Sequence, residues 1–519
     1  VLVNALCAAR SLNLRVSRHL RRSPAAIEAM QGRSQSATID LPPRPSADLC
    51  WAVECGSPVA ACTAEPGQAR AGHWATWATL CSMIIGSPLL EMGALFRVGG
   101  LVASTLVTFA MAAVCCLTMV LIARCLDRAA EAVPADQRGG EAVDWPLIGY
   151  AVAGRPGRIL VGTVFFVDLV TTAVLMQILS GGSLAVVLPG VDERILMGAS
   201  GCATVALLAL PARHLGLLSA AGILAVCAFA ASLFASAALL GPANPPGGYK
   251  LFDVHGSVFA VPIVATAMMA HSSVGPIYSR MNQRGKDRFP AISASAFAVA
   301  GVMYAAIGII AYFSYSDGVH QNLISNVGFD REGQPLPGLR WLQKLAAVLF
   351  TAKLQSVQPL LIEPLSLAVH TGASSAFAAC TSRSVAVAAS ESARDVEMPS
   401  PGHSSRKSGV AEPVDKGARH AATIRRLVLG AIRVACAAAT IALAVTGRNK
   451  VLALAELTGS LACMSMSVTL PIVCYLTLHW SSLAMPTRVI FVVAATIGFT
   501  LQAMGVRQAV ISLFFSQAM

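Results

Sequence analysis

The sequence predicts an all-α protein that crosses a membrane about eleven times. Of its 519 residues, 55% are hydrophobic and only 12% are charged, and the mean hydropathy is +0.66. A soluble domain typically carries about twice that charged fraction. Several apolar runs exceed the roughly 20 residues that a helix needs to cross a bilayer. A transmembrane β-barrel would instead show alternating segments of roughly 10 residues.

Eleven apolar segments define the predicted spans, numbered 1 to 11 in chain order. They lie at about 75–96, 98–123, 159–188, 194–211, 215–240, 256–278, 290–314, 341–370, 425–446, 450–478 and 488–515. We expect a membrane region over 75–370 (spans 1–8), in which a first repeat covers 75–240 and a second begins at 256, and another over 425–519 (spans 9–11).

Two polar stretches without periodicity flank these regions. We predict a disordered cytoplasmic tail over 1–74 and a disordered cytoplasmic loop over 371–424. Residues 141–158 are predicted to form a short amphipathic helix on the membrane surface, closed by Gly154 and Pro156. Residues 1–15 lack the unbroken apolar stretch of a signal peptide, because Arg10 interrupts them.

The distribution of positive charge predicts a cytoplasmic N-terminus. With eleven spans, most of the 38 Lys and Arg residues then fall in the tail and in the loops on the cytoplasmic side. This asymmetry accounts for the net charge of +12 better than nucleic-acid binding does. We therefore expect the positively charged residues to lie beside a lipid bilayer and not to bind nucleic acid.

The sequence contains no recognisable motif for a cofactor or a catalytic site. The 14 cysteines show no paired spacing and many lie inside apolar runs, where cysteine behaves as a small hydrophobic residue. We therefore predict neither a disulfide framework nor a metal site. A nucleotide-binding loop of the type G-x-x-x-x-G-K-[ST] is absent from the sequence, which disfavours an ATP-driven pump. We expect no cofactor and no enzyme activity.

Span 1 is interrupted in its middle by residues that break helices. Gly86, Ser87, Pro88 and Gly93 lie within an apolar stretch that also contains Glu91. Broken helices at membrane depth face protein, water or substrate, and in transporters with inverted repeats they form the substrate site. The alternatives are a packing kink and, for the carboxylate, a position near the membrane surface.

Charged and polar residues inside other spans are functional candidates because they are costly in a membrane. Asp168 lies in span 3 among apolar neighbours and could carry a proton, or it could be bound to hydroxyls or to a lysine. His271 lies in span 6 beside Ser272 and Ser273 and could bind substrate or serve only in packing. Span 8 carries a polar stripe with Thr351, Lys353, Gln355, Ser356 and Gln358.

Two further intramembrane groups have a simpler interpretation. Lys353 could pair with a carboxylate of another span. Glu456 and the small residues at 458–460 in span 10 are expected to serve helix packing, since small residues let membrane helices approach closely.

Several stretches resemble the amino acid/auxin permease family of eukaryotic transporters. Residues 83–96 align without a gap with the first span of that family, and Gly86, Leu90 and Phe96 match its pattern. Pro88 stands where the family has a second glycine, and Gly93 stands where it has a proline. Further similar stretches follow in order at 150–158, 269–278, 288–290, 349–359 and 449–475.

The resemblance implies two inverted repeats of five spans, with broken spans 1 and 6, plus one extra helix. It also implies a secondary active transporter that moves amino acids by alternating access, by symport or antiport with protons or sodium. Protons are the expected coupling ion, and Asp168 or Glu91 the expected carrier. The expected substrate site consists of Ile85, Gly86, Ser87, Pro88, His271, Ser272, Ser273, Thr351 and Gln355.

The resemblance places the protein in a vacuolar or other endomembrane, or in the plasma membrane. Two alternative functions stay open. The first is transport of another small solute, such as a polyamine, an auxin-like acid or a sugar. The second is a sensor that binds an amino acid and signals through its polar segments without transport.

Overall fold

The computed structural model describes residues 72–133, 138, 143–210, 215–245, 247–392, 416–448 and 451–515. Within these ranges the named elements are all helices, and an isolated antiparallel bridge joins Phe329 and Pro335. Residues 1–71, which make up most of the predicted tail, lie outside the described residues. The all-α prediction is confirmed.

Each predicted span has a counterpart among the helices. They are His73–Ile84 with Met92–Gly99, Leu101–Ala132, Trp145–Val187, Glu193–Leu208, Leu215–Leu240, Val254–Ala267 with Val274–Ser279, Phe289–Tyr315, Arg340–Ser392, Lys416–Gly447, Val451–Leu457 with Leu470–His479, and Met485–Phe515. In the described part of the chain, nine helices are long and apolar enough to cross a membrane, or ten with the bent first span. Span 4, with 16 residues, is the short one.

Spans 1 and 6 are broken, as predicted. In span 1 the helix ends at Ile84, Gly86 is extended, and a 3₁₀ turn at Ser87–Glu91 leads into the second half-helix at an angle of 44°. In span 6 the first half-helix ends at Ala267, and a 3₁₀ turn at His271–Ser273 precedes the second half-helix. The two breaks occupy corresponding positions in the two halves of the chain, which fits an inverted repeat.

Span 10 contains a distortion that the sequence did not predict. Between its two α-helical parts the backbone is π-helical over Thr458–Cys463 and Ser465–Thr469. Such π segments often mark functional positions because the extra residue in the turn frees backbone groups and changes which side chains face inward.

The helix that enters span 3 turns sharply where the amphipathic surface helix was predicted to close. Gly154 has φ 67°, a conformation that glycine tolerates best, and the chain reverses there before Pro156. The reversal brings Gly149 so close to the carbonyl of Gly157 that a side chain at residue 149 would overlap it. The predicted end at Gly154 is confirmed.

The second predicted disordered segment is helical at both ends. Span 8 continues to Ser392 and span 9 begins at Lys416, whereas residues 393–415 lie outside the described residues. The extension differs from the prediction of a loop from residue 371. Its physical basis is the abundance of alanine in 373–392, since alanine has the highest helix propensity.

Packing places the two breaks inside the bundle. Span 8 packs against spans 3 and 5, and span 7 packs against spans 1 and 2. The most apolar window of span 10 is 83% buried, whereas that of span 11 is only 11% buried. Span 11 is therefore peripheral, and spans 3, 7, 8 and 10 surround the breaks.

Gly308→Ala is expected to destabilise the protein. Gly308 of span 7 lies against the buried ring of Phe96 in the second half of span 1, and a Cβ would overlap that ring. Overpacking of this kind costs about 1–3 kcal/mol, so the thermal midpoint of the purified protein in detergent should fall. Gly198→Ala in span 4 is the matched control, because nothing lies within 4 Å of its added Cβ. Equal midpoints for the two variants would contradict this account.

Candidate functional site

One tyrosine hydroxyl holds both helix breaks. Tyr304 of span 7 is fully buried, and its oxygen accepts a 3.0 Å hydrogen bond from the backbone N–H of Gly86. The same hydroxyl lies 2.8 Å from the carbonyl oxygen of Ile84 and 3.1 Å from that of Ala267. Tyr304 therefore joins the break of span 1 to the end of the first half-helix of span 6.

The imidazole of His271 faces span 2. Its Nε2 lies 3.0 Å from the carbonyl oxygen of Cys115 and 3.1 Å from the Oγ1 of Thr118. The backbone carbonyl of His271 accepts a 2.9 Å hydrogen bond from the indole N–H of Trp145. Nε2 and the backbone carbonyl of His271 are therefore bound to neighbouring helices, whereas Nδ1 is buried without a partner among the described residues.

Asp168 lies at the centre of a buried polar cluster. Its carboxyl group is fully buried on span 3, beside Ser272 of the span 6 break and Cys463 of the π-helical segment. Within the described residues, neither carboxyl oxygen reaches hydrogen-bond geometry. The hydroxyls of Thr172, Ser272 and Ser273 are also buried without a partner there. Unpaired polar groups are costly inside a protein, which favours a functional role for this cluster.

A cavity of about 480 Å³ opens beside the span 1 break. Five spans contribute to its walls: spans 1, 3, 6, 10 and 11. Its polar lining residues are Ser87, Glu91, Thr266, Glu456, Ser460 and Arg507. The volume lies in the range of small-molecule sites, roughly 300–1,000 Å³. The cavity thus presents two carboxylates, one guanidinium and three hydroxyls to a small solute.

Span 10 serves both packing and the cavity. Gly459 lies against span 6, and a Cβ there would come within 2.5 Å of the Oγ1 of Thr266. This close approach agrees with the expectation of helix packing at 458–460. Glu456 and Ser460, on either side, line the cavity.

The polar stripe of span 8 faces several neighbouring helices rather than the cavity. Thr351 donates to the carbonyl of Ala347 in its own helix. Gln355 donates to Ser200 and accepts from Thr204, both on span 4, at 2.6 Å and 2.9 Å. Lys353 donates to Ser82 of span 1.

The structure divides the predicted site residues into separate groups. Ser87, Pro88 and Glu91 line the cavity, and Ile85 and Gly86 form the buried break behind them. The remaining predicted residues lie elsewhere: His271 against span 2, Ser272 and Ser273 beside Asp168, and Thr351 and Gln355 on span 8.

Sequence reasoning missed three residues of this region. Tyr304 and Arg507 are polar residues within apolar spans, the same signal that identified Asp168. Glu456 was identified as intramembrane but assigned to packing, because the sequence does not reveal the π-helical distortion beside it.

The helical segment before Gly154 contacts the second half of span 6. Asp144 caps this helix by accepting a 2.8 Å hydrogen bond from the N–H of Trp145. It is buried and lies so close to Gly275 that a side chain there would overlap the carboxyl group. Burial raises the pKa of Asp144 to about 7, and the hydrogen bond from Trp145 opposes part of this rise.

Comparison with protein families identifies the chain's family. The family described as "Transmembrane amino acid transporter protein" matches residues 69–513. The chain belongs to this family. The match confirms the resemblance drawn from the motifs, and it places the chain among transporters rather than enzymes.

Curated relatives are similar over part of their length. The amino acid transporter AVT1J of Arabidopsis thaliana is 25% identical over 198 residues, which cover 36% of this chain and 46% of that protein. The amino acid transporter AVT1D of the same plant is 27% identical over 224 residues, or 41% of this chain and 38% of that protein. The matched region therefore spans less than half the length of these relatives.

Solved structures of other transporters share the fold. A manganese transporter from Eremococcus coleocola superposes with a TM-score of 0.50 at 12% identity, covering 86% of this chain and 88% of that chain. A Na⁺-coupled sialic acid symporter gives a TM-score of 0.50 at 11% identity, covering 86% and 90%. At these identities the likeness establishes only the fold.

Tyr304→Phe is expected to destabilise both breaks. Removal of the hydroxyl leaves the N–H of Gly86 and the carbonyl of Ile84 without this partner. Each buried group left unpaired lowers the free energy of unfolding by about 1–3 kcal/mol. The thermal midpoint should fall, and hydrogen exchange over 73–91 should accelerate. Tyr315→Phe is the control, because that hydroxyl is also buried in span 7 but donates to the carbonyl of Asn326, away from the breaks. Faster exchange over 73–91 in both variants would exclude a specific role for Tyr304.

Asp144→Asn is expected to flatten the pH dependence of stability. The native pKa of Asp144 lies above the value of the unfolded chain, so its protonated form stabilises the native state. That contribution is complete below about pH 4 and is lost as the pH rises through about 7. The thermal midpoint of the wild type should therefore fall as the pH rises across this range. The midpoint of the variant should depend less on pH, because an amide at residue 144 does not titrate. Asp192→Asn, at an exposed helix cap, should retain the wild-type profile.

Proposed function

We propose that the protein is a secondary active transporter that carries amino acids by alternating access and is coupled to protons. One observation carries the proposal: the cavity at the span 1 break presents groups of both charges to a solute of amino-acid size. Family membership supports the solute class.

The lining of the cavity suits a zwitterion. Glu91 and Glu456 can bind an α-ammonium group, and Arg507 can bind an α-carboxylate through its planar fork of donors. The hydroxyls of Ser87 and Thr266 add hydrogen bonds at the walls. A polyamine would place a further cation beside Arg507, and a sugar carries no charged group for Arg507 or Glu91 to bind. This chemistry favours an amino acid over these other solutes.

Asp168 is the proposed proton carrier. It is buried next to the span 6 break, with no cation bonded to it in the described part of the chain. Movement of that break would bring water or new donors to the carboxyl group and change its proton affinity. Glu91 is the second candidate, because it lines the cavity together with Glu456.

Alternating access is expected to move spans 1 and 6 together. Tyr304 ties their breaks to each other, so the two spans can rock as a unit against the surrounding helices. The basic loops support a cytoplasmic N-terminus, in the vacuolar membrane, another endomembrane or the plasma membrane.

The test is uptake of a mixture of radiolabelled amino acids into liposomes that contain the purified protein. An inward proton gradient is expected to stimulate uptake of one or more amino acids. Asp168→Asn should abolish the stimulation and leave exchange of labelled for unlabelled substrate. Glu91→Gln should raise the KM at least tenfold by removing a group that holds the ammonium. Asp317→Asn, at an exposed loop position, is the control and should behave as wild type.

Three outcomes would overturn parts of this proposal. Stimulation by sodium but not by protons would keep the transporter and remove proton coupling. Uptake of a polyamine or sugar in place of amino acids would change the solute class. Amino-acid binding without flux would establish a sensor instead of a transporter.

A further inference from the structure

The charges that line the cavity at the span 1 break are unequal in number. Glu91 of span 1 and Glu456 of span 10 contribute two carboxylates, whereas Arg507 of span 11 contributes one guanidinium. The two carboxylates are close enough to interact electrostatically, and two like charges repel each other. With all three groups ionised, the lining therefore has an excess of one negative charge.

The three charged groups lie on different walls of the cavity. Span 11 packs against the first helix of span 10, and a Cβ on Gly505 would lie 2.6 Å from the Oγ of Ser460 at their contact. Glu456 and Arg507 lie on these two adjacent spans. Glu91 instead ends the 3₁₀ turn of span 1, which packs against the first half-helix of span 6. One wall thus presents a carboxylate and a guanidinium, and another presents a carboxylate alone.

The wall formed by spans 10 and 11 fits the two groups that every amino acid has. A carboxylate accepts two parallel hydrogen bonds from the planar guanidinium of an arginine such as Arg507. The α-ammonium is attached to the same carbon as the α-carboxylate, so it requires an acceptor near that guanidinium. Glu456 on the adjacent span is such an acceptor. A zwitterion bound in this way leaves the carboxylate of Glu91 for a further group of the ligand.

Glu91 takes part in none of the ion pairs among the described residues. The charged group in electrostatic contact with it is Glu456, which repels it. A carboxylate inside a membrane protein is costly unless a nearby cation or hydrogen-bond donor compensates it. A ligand with a second positive charge would supply that cation.

The rest of the lining suits an alkyl chain. Apart from the charged and hydroxyl side chains, it consists of apolar and small residues, with Leu175, Ile263 and Leu501 contributed by spans 3, 6 and 11. The aliphatic part of a lysine or arginine side chain packs on surfaces of this kind while its charged end reaches a polar partner. The side chain of a cationic amino acid therefore has both an apolar surface and a carboxylate available in the cavity.

We propose that the cavity selects cationic amino acids, with Arg507 and Glu456 bound to the α groups and Glu91 bound to the charged end of the side chain. This inference rests on the proposed function. The two positive charges and one negative charge of the ligand complement the two carboxylates and one guanidinium of the lining. An acidic amino acid would place a second carboxylate against Glu91, and a neutral one would leave Glu91 uncompensated.

A proton on Glu91 would produce the same balance of charge with a neutral amino acid. Glu91 is the second candidate for the proton carrier, so this alternative has to be tested directly. The two assignments differ in what the ligand must carry. An ionised Glu91 requires a positive charge on the ligand side chain, whereas a protonated Glu91 does not. Pairs of amino acids that differ only in this charge distinguish them.

Matched ligands provide the first test and require no variant. Norleucine has the carbon chain of lysine without its ammonium group, and citrulline has the shape of arginine with a neutral end. In liposomes that contain the wild-type protein, kcat/KM for uptake should be about 10- to 100-fold higher for the charged member of each pair, as expected for one charged hydrogen bond. Equal values within both pairs, or a preference for glutamate, would overturn the inference and leave amino-acid transport intact.

Glu91→Gln tests which carboxylate binds the side chain. The variant keeps the shape of residue 91 but loses its charge, so the KM for lysine should rise about 10- to 100-fold while the KM for norleucine is unchanged. Glu91→Asp keeps the charge and should retain the preference for lysine, which a merely structural role would not require. Glu332→Gln makes the same chemical change at an exposed loop position and should behave as wild type. A wild-type preference for lysine in Glu91→Gln would overturn the assignment.

Binding measured without transport separates this inference from the proposed function. Unlabelled lysine and arginine should displace radiolabelled lysine from the purified protein in detergent. Norleucine and citrulline should require concentrations about 10- to 100-fold higher. If the protein shows this order of binding but carries no amino acid into liposomes, the proposed transport fails and the selectivity of the cavity stands. Absence of lysine binding, or displacement by norleucine at the same concentration as by lysine, would overturn the selectivity itself.

Discussion

The hydroxyl of Tyr304 is the interaction on which the arrangement of the site depends. Two broken helices leave backbone groups unpaired at membrane depth, where no lipid can satisfy them. One hydroxyl accepts from Gly86 and lies within hydrogen-bonding distance of the carbonyls of Ile84 and Ala267. Span 7 is held close enough to reach both breaks because Gly308 lets it pack on the ring of Phe96. Neighbouring spans therefore stabilise the broken conformation, and the breaks stay beside each other.

Charged groups around the breaks form two layers with different surroundings. Glu91, Glu456 and Arg507 line the cavity and can meet a solute directly. Asp168 and Lys353 are buried: Asp168 lies beside Ser272 of span 6 without a hydrogen bond among the described residues, and Lys353 donates to Ser82 of span 1. A buried charge is sensitive to small displacements of its few partners because the surrounding medium screens it weakly. In the proposed function, the outer layer selects the solute and the inner layer responds to helix movement.

Local residue chemistry explains why the breaks could be predicted while several contacts could not. Pro88 and the adjacent glycine limit helix formation wherever they occur in the sequence, so the break of span 1 was visible. The ring of His271 lies against Cys115 and Thr118 of span 2, more than 150 residues earlier in the chain, so its partners depend on how spans 2 and 6 pack. The π-helical turn of span 10 left no comparable signal, because it depends on how that helix packs against span 6 through Gly459.

The sequence by itself determined the eleven helical segments, the two breaks and the presence of charged residues within apolar spans. These features follow from hydropathy, from proline and glycine, and from the cost of charge in lipid. Only the tertiary structure decided the partners: Lys353 with Ser82, Gln355 with Ser200, and Tyr304 with both breaks. These partners are separated by 155 to 271 residues along the chain, except for Tyr304 and Ala267, which are 37 residues apart. Which of them meet depends on the rotation and packing of whole helices, which no local pattern encodes.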